Sequence, residues 1–195
     1  MSSTRRRGNE DSRTRVVLIE AAMNLLTEEG MSAVTARRVA QRVGLSHQIV
    51  HYYFKSMDDL LVAAIEHGTG EYVAQLRGSL DSDDPLKLVT ELNSSLLSVV
   101  NGTEITIYAS RRPAVRDAVK AAIANFRQAQ TEAVARHLER QGLGGAVSPL
   151  VATVIVTSVL RTLTLEVDIG ASQGHEETLA WLASLLGAPS ITIAD

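Results

Sequence analysis

The residues best equipped for chemistry in this 195-residue chain lie between Thr35 and Leu61. His47, Gln48, His51, Tyr52, Tyr53 and Lys55 stand close together, with Thr35, Arg37, Arg38, Arg42 and Ser46 just before them. These side chains are hydrogen-bond donors suited to phosphate oxygens and base edges. Gln can bond bidentately to adenine, and His can donate to guanine or phosphate. His47 and His51, at i and i+4, could in principle share a metal. No third ligand stands nearby, so no metal is expected.

The elements that must position these residues are short. Two helical patterns flank the turn Arg42-Val43-Gly44-Leu45-Ser46, and an aromatic segment follows before a new helix starts at Ser56. Two short helices around a glycine turn are the sequence form of a helix-turn-helix, whose second helix can enter a DNA major groove. Thr35 is placed to cap the first of the pair and Ser46 the second. Val39, Ala40, Val43, Ile49, Val50 and Phe54 are expected to face a small core.

Charge is distributed to match. Residues 1–55 hold nine Lys and Arg against five acids, a local excess of +4, whereas the remainder holds ten against seventeen. A basic segment in an otherwise acidic chain suits a polyanionic partner. The absence of cysteine excludes disulfides, thiolate metal sites and cysteine nucleophiles. His67, His137 and His175 are isolated and read as surface or capping residues. With no nucleophile–base set, metal cluster or paired carboxylates, no catalytic residue and no cofactor is expected. No apolar stretch follows the basic N-terminus, so a secretory signal is not expected. The apolar run 150–165 contains Arg161 and is followed by Glu166 and Asp168, which argues against a membrane span. A cytoplasmic protein is the expectation.

Along the chain, residues 1–9 read as a disordered basic arm carrying Arg5, Arg6 and Arg7, and 10–56 as the helix-turn-helix domain. The rest, 57–195, reads as a second helical domain. Helical periodicity gives a first helix over 11–29 ended by Gly30, and Ser56 with Asp59 opens a fourth towards Gly78. Pro85 starts a helix running to about 100, and a short one follows over 104–110. A long helix runs over 113–140, Ser148-Pro149 opens one to about 169, and the last covers 176–186. The fold class is all-α, about nine helices. The 150–165 helix is apolar almost all round and must be buried on more than one side. Together with the last helix, over about 148–187, it is expected to form a four-helix homodimer interface.

These residues resemble a known family. Glu29-Gly30, Thr35, Val39-Ala40, Gly44-Leu45-Ser46, Tyr52-Tyr53-Phe54 and Asp58-Asp59-Leu60 match, in order and spacing, the DNA-binding domain of the tetracycline-repressor (TetR) family. The likeness covers about the first third of the chain. Two positions depart from it: His51 stands where the family usually has Tyr, and Met57 where it usually has Lys. Met57 cannot donate to phosphate, so that contact is either missing or taken by Lys55.

The resemblance implies that the helix over 46–53 lies in the major groove, with His47 and Gln48 facing base edges. Thr35, Arg37, Ser46, His51, Tyr52, Tyr53 and Lys55 are then expected at phosphates, with Arg5, Arg6 and Arg7 reaching a minor groove or the backbone. Tyr53 also fits a core role, and Arg37 and Arg38 also fit a solvated face. The family's larger domain binds a small molecule that shifts the DNA-reading helices. Here that implies a ligand-responsive, dimeric repressor of a palindromic double-stranded operator, with activation as the open alternative. Asn93, Thr106, Tyr108, Asn125, Phe126 and Arg161 are the expected ligand-lining residues. For Arg161, a pair with Glu166 is the favoured reading over a ligand anion. An apolar or weakly acidic effector fits the low aromatic content.

Overall fold

The computed structural model describes residues 3–80, 82–94 and 96–193, with backbone alone described for 3–12 and 96–101. Among the described residues there are nine α-helices and no β-strand: α1 (Ser3–Glu29), α2 (Ala36–Arg42), α3 (His47–Tyr53), α4 (Met57–Gly78), α5 (Pro85–Ser94), α6 (Leu96–Ala109), α7 (Pro113–Arg140), α8 (Pro149–Asp168) and α9 (His175–Leu186). All-α is therefore the fold class.

Most boundaries follow local chemistry. Ser56 Oγ accepts from Asp59 N at 3.1 Å at the start of α4. Asp84 Oδ1 accepts from Leu86 N and Lys87 N ahead of α5, and Ser148 Oγ accepts from Val151 N ahead of α8. Each side-chain oxygen satisfies helix N–H groups that have no intrahelical acceptor. Two boundaries differ from expectation. The α1 backbone begins at Ser3 instead of near Asp11; no proline interrupts the stretch, and Arg5, Arg6 and Arg7 favour helix. The side chains of Arg5, Arg6 and Arg7 lie outside the described residues. α6 runs through residues 100–104, where a break was expected, and α5 ends at Ser94. There Asn93 Nδ2 and Ser94 Oγ donate to the backbone carbonyls of Val89 and Glu91. Such side-chain bonds compete with helix propagation.

The chain forms two compact units, and the division is not the expected one at residue 56. Unit 1 is residues 1–68 with 103–122, and unit 2 is 69–102 with 123–195. Helices α4, α6 and α7 each run through a unit boundary, since regular hydrogen bonding does not stop where packing partners change. Unit 1 is built on Leu18, Leu25, Val39, Val50, Phe54 and Leu60, all buried.

Unit 2 centres on Leu76, Val89, Val134, Leu138, Val156, Leu160, Leu182 and Leu186. α8 packs on α5 and on α9. It is long and apolar enough to cross a bilayer by length and composition, yet its inward stripe is part of this core. That stripe contains Thr153, Thr157 and Thr164, while Leu150, Val151 and Ile169 beside them stay exposed. The arrangement is possible because Thr153 and Thr157 donate to carbonyls one turn back, at 2.7 and 2.8 Å. Two histidines read as surface or capping residues are buried instead. His137 donates from Nε2 to the Leu186 carbonyl at 3.0 Å, and His175 from Nε2 to Glu166 at 2.8 Å.

Candidate DNA-binding site

The site begins with the turn between α2 and α3. Gly44 holds φ +69, and a Cβ there would meet nothing within 4 Å, so backbone conformation, not space, is what selects glycine. Leu45 N donates to the Ala40 carbonyl at 2.9 Å and Gly44 N to the Gln41 carbonyl at 3.2 Å. That pair of bonds is a Schellman motif, which uses up the last carbonyls of α2 and redirects the chain into α3.

Ahead of α2, Thr35 Oγ1 accepts from Arg38 N at 3.3 Å. Ser46 occupies the corresponding position before α3, but its hydroxyl makes no capping bond. The hydroxyl is exposed and remains available to an external acceptor.

α3 divides cleanly by face. Val50 and Phe54 are buried and Ile49 is partly buried. His47, Gln48, His51 and Tyr52 are exposed, Tyr52 at 71 %. Tyr53 is half-buried, packs on the unit 1 core, and meets Tyr52 edge-on with ring centroids 4.9 Å apart. The core reading of Tyr53 thus holds for its ring. Under α3, the Arg15 guanidinium lies 5.2 Å from the Phe54 ring centroid, a cation–π contact on the buried side.

The three arginines of α2 are not equivalent. Arg38 Nη2 donates to both Glu29 carboxylate oxygens at 2.5 Å, and Arg42 pairs likewise with Glu28. The bond from Arg38 is the main reason the Glu29 carboxyl lies below its ordinary range. Glu28, in the same way, pushes the Arg42 guanidinium upward. Arg37 is exposed and has no ionic partner among the described residues. Lys55 likewise stands exposed just past α3. The sequence could not separate Arg37 from Arg38, because Glu29, the partner of Arg38, sits on a different helix at the end of α1.

The expected ligand-lining residues are divided between the two units. Tyr108 belongs to unit 1, where its Oη donates to Asp58 Oδ1 at 3.0 Å. It lines an open cleft of about 710 Å³ with Asp58, Ile107, Arg111 and Arg112. Thr106 is also in unit 1 and is exposed. In unit 2, Asn125 and Arg161 are exposed, as their outward helix positions dictate. Phe126 meets Tyr72 edge-on at 4.5 Å. Gln130 Nε2 donates to Tyr72 Oη at 2.5 Å and lies 3.5 Å from Asn93 Oδ1. Phe126 and Asn93 therefore border one polar cluster around Tyr72, whose hydroxyl is pushed up by burial. Tyr72 and Gln130 carry no sequence signal that distinguishes them from ordinary helix residues.

The comparisons with known proteins agree with this geometry. Residues 18–64 match the family model for bacterial regulatory proteins, tetR family. The chain is 32 % identical over 102 residues to the HTH-type transcriptional regulator BetI of Yersinia pestis, covering 48 % of this chain and 52 % of that protein. It is 29 % identical over 99 residues to the regulator TtgR of Pseudomonas putida, covering 50 % and 46 %. The chain thus spans about half the length of the curated relatives it matches. Among solved structures, reduced NemR of E. coli superposes with TM-score 0.72 at 17 % identity, covering 90 % of this chain and 99 % of that one. A transcriptional regulator of Saccharomonospora viridis, solved in complex with choline, superposes with TM-score 0.70 at 17 % identity, covering 93 % and 99 %. At that identity these superpositions establish the shared fold. Over residues 18–64, its helix-turn-helix segment, the chain matches the TetR family of bacterial regulatory proteins, and beyond that segment it shares the fold of solved TetR regulators.

Proposed function

We propose that the chain is a cytoplasmic, non-enzymatic transcriptional repressor that binds a palindromic operator as a homodimer and is released by a small effector. One observation carries the DNA-binding part: His47, Gln48, His51 and Tyr52 are all exposed on a seven-residue helix whose opposite face is buried. A short helix with donors outward and a fixed back suits insertion in the major groove. His47 and Gln48 read base edges. Thr35, Arg37, Ser46, His51, Tyr52, Tyr53 and Lys55 contact phosphates and set the register.

The dimer reading is supported by large apolar side chains left in the open on α8, at its C-cap and on α9: Leu150, Val151, Ile169 and Trp181 are 51, 52, 78 and 57 % exposed. Two copies related by a twofold axis would set their α3 helices about one DNA turn, roughly 34 Å, apart. For the effector, the Tyr72–Asn93–Gln130 cluster beside Phe126 offers neutral hydrogen-bonding groups in an apolar unit. These suit a neutral or weakly acidic molecule better than a cation.

Selection of bound sites from random duplex DNA with the full chain tests this reading. The expected product is an inverted repeat, bound with a steep negative dependence of log K on log salt. Enrichment of no sequence would refute operator binding, and enrichment of a single unrepeated half-site would refute the symmetric dimer. Release of the selected DNA is then screened with small carboxylic acids, neutral metabolites and choline. Release by choline alone would refute the effector class.

A further inference from the structure

Glu104, Tyr108 and Arg112 recur at four-residue spacing across the end of α6 and the turn before α7, all within unit 1. Each of the three reaches a segment flanking the α2–α3 pair. Glu104 Oε2 accepts from the Met31 backbone N–H at 2.6 Å, in the short turn between α1 and α2. At the other end of the module, Asp58 in the first turn of α4 accepts from Tyr108 Oη at 3.0 Å and from Arg112 Nη1 at 2.9 and 3.2 Å. The Arg112 guanidinium also lies 4.5 Å from the Tyr108 ring centroid, which holds the two side chains together over Asp58.

The chain around Met31 is shaped for this contact. Gly30 has φ +80, and a Cβ on it would come within 3.0 Å of Glu104 Oε2 and 3.3 Å of Oε1. Only a glycine allows the carboxylate to approach that closely at that backbone angle. A half-buried carboxylate bonded to a backbone N–H is a strong, directional contact, unlike an exposed ion pair between two flexible side chains. The two anchor points bracket α2 and α3, one just before the pair and one just after it.

We propose that this stripe is a clamp that sets the orientation of the DNA-reading helices, with Glu104 as its principal positioning residue. The inference rests on the operator-binding reading above. Glu104 touches no DNA in this scheme and acts through Met31. A clamp of this kind matters most where donors must meet base edges within a few tenths of an ångström. It matters little for contacts to phosphates, which tolerate a shifted register.

The test compares full-length Glu104→Ala and Glu104→Gln with wild type on the selected duplex and on a random duplex of equal length. Failure of the wild type to prefer the selected duplex counts against operator binding itself. The clamp is judged only by the variants relative to a wild type that discriminates. Glu104→Ala is expected to lose roughly tenfold or more on the selected duplex and less than about twofold on random DNA, at an unchanged salt slope. Glu104→Gln keeps an oxygen acceptor for Met31 N–H and is expected within about threefold of wild type. Equal losses on both duplexes, or no loss on either, would overturn the proposal, as would a glutamine variant no better than alanine. Should Glu104→Ala not fold, Arg112→Gln, which gives up the ion pair to Asp58 from a largely exposed position, is read by the same ratio of specific to random binding.

Discussion

The inequality of the α2 arginines makes a quantitative prediction. Arg37 has no ionic partner among the described residues, whereas Arg38 is held by both oxygens of Glu29 at 2.5 Å. If Arg37 neutralises one phosphate, its removal lowers the magnitude of the slope of log K against log salt by about 0.9. Over a fourfold rise in salt, from 50 to 200 mM, that corresponds to about 3.5-fold less loss of affinity than wild type shows. A single Arg38→Ala would be ambiguous, since it leaves the Glu29 carboxylate uncompensated near DNA. The informative control is the neutral pair Glu29→Ala/Arg38→Ala, which keeps net charge and should leave the slope unchanged. Fluorescence anisotropy of a labelled selected duplex at five or six salt concentrations has the needed accuracy. The reasoning fails if the double variant flattens the slope as much as Arg37→Ala does. That result would mean Arg38 leaves Glu29 for a phosphate when DNA binds.

Two further perturbations test the scaffold. Gly44→Ala forces an L side chain into φ +69 with no steric neighbour, so it should destabilise by about 1–2 kcal/mol and lower the melting temperature by about 2–4 °C per kcal/mol. Gly44→Asn should fall between alanine and wild type in calorimetry, because Asn tolerates the left-handed region. The second concerns alkaline pH. Burial raises the Tyr72 hydroxyl, opposed by Gln130 and Asn93, and burial followed by Asp58 raises Tyr108. A group whose folded pKa lies above its unfolded value contributes stability that is fully present below the unfolded pKa, about 10 for Tyr. That stability is lost as pH rises through the folded pKa. Urea midpoints should therefore decline from about pH 10 upward, and less steeply in Tyr72→Phe; an identical decline in that variant would remove Tyr72 from the account.

Much of the candidate DNA-reading face is legible in the chain's local pattern. Val39, Ala40, Val50 and Phe54 are buried, and His47, Gln48, His51 and Tyr52 are exposed, as helical periodicity around one glycine turn requires. The residues expected to line a ligand are less legible. Tyr108 is an aromatic in an apolar helix, which reads equally well as pocket lining or as packing, and Asp58 takes its hydroxyl at a separation of fifty residues. α8 shows the same limit from the other side. Hydropathy counts Thr153 and Thr157 as interruptions of an apolar run, yet their hydroxyls are satisfied within the helix and they face the core. The valine and leucine at its start, Val151 and Leu150, are the residues left in the open.

The sequence alone determined what depends on neighbours a few residues away. It sets where helices begin at Ser56, Pro85 and Pro149, where Gly44 turns the chain, and which side of α3 is apolar. Those features follow from dihedral preferences, capping bonds and a period of 3.6 residues, all local. Only the tertiary structure decided which of Arg37, Arg38 and Arg42 remains available, that His137 and His175 are buried, and that Glu104 grips Met31 across seventy-three residues. Each of those outcomes is a choice of partner among several of suitable chemistry. It is settled by which groups packing brings within hydrogen-bond reach, a condition that no short-range pattern encodes.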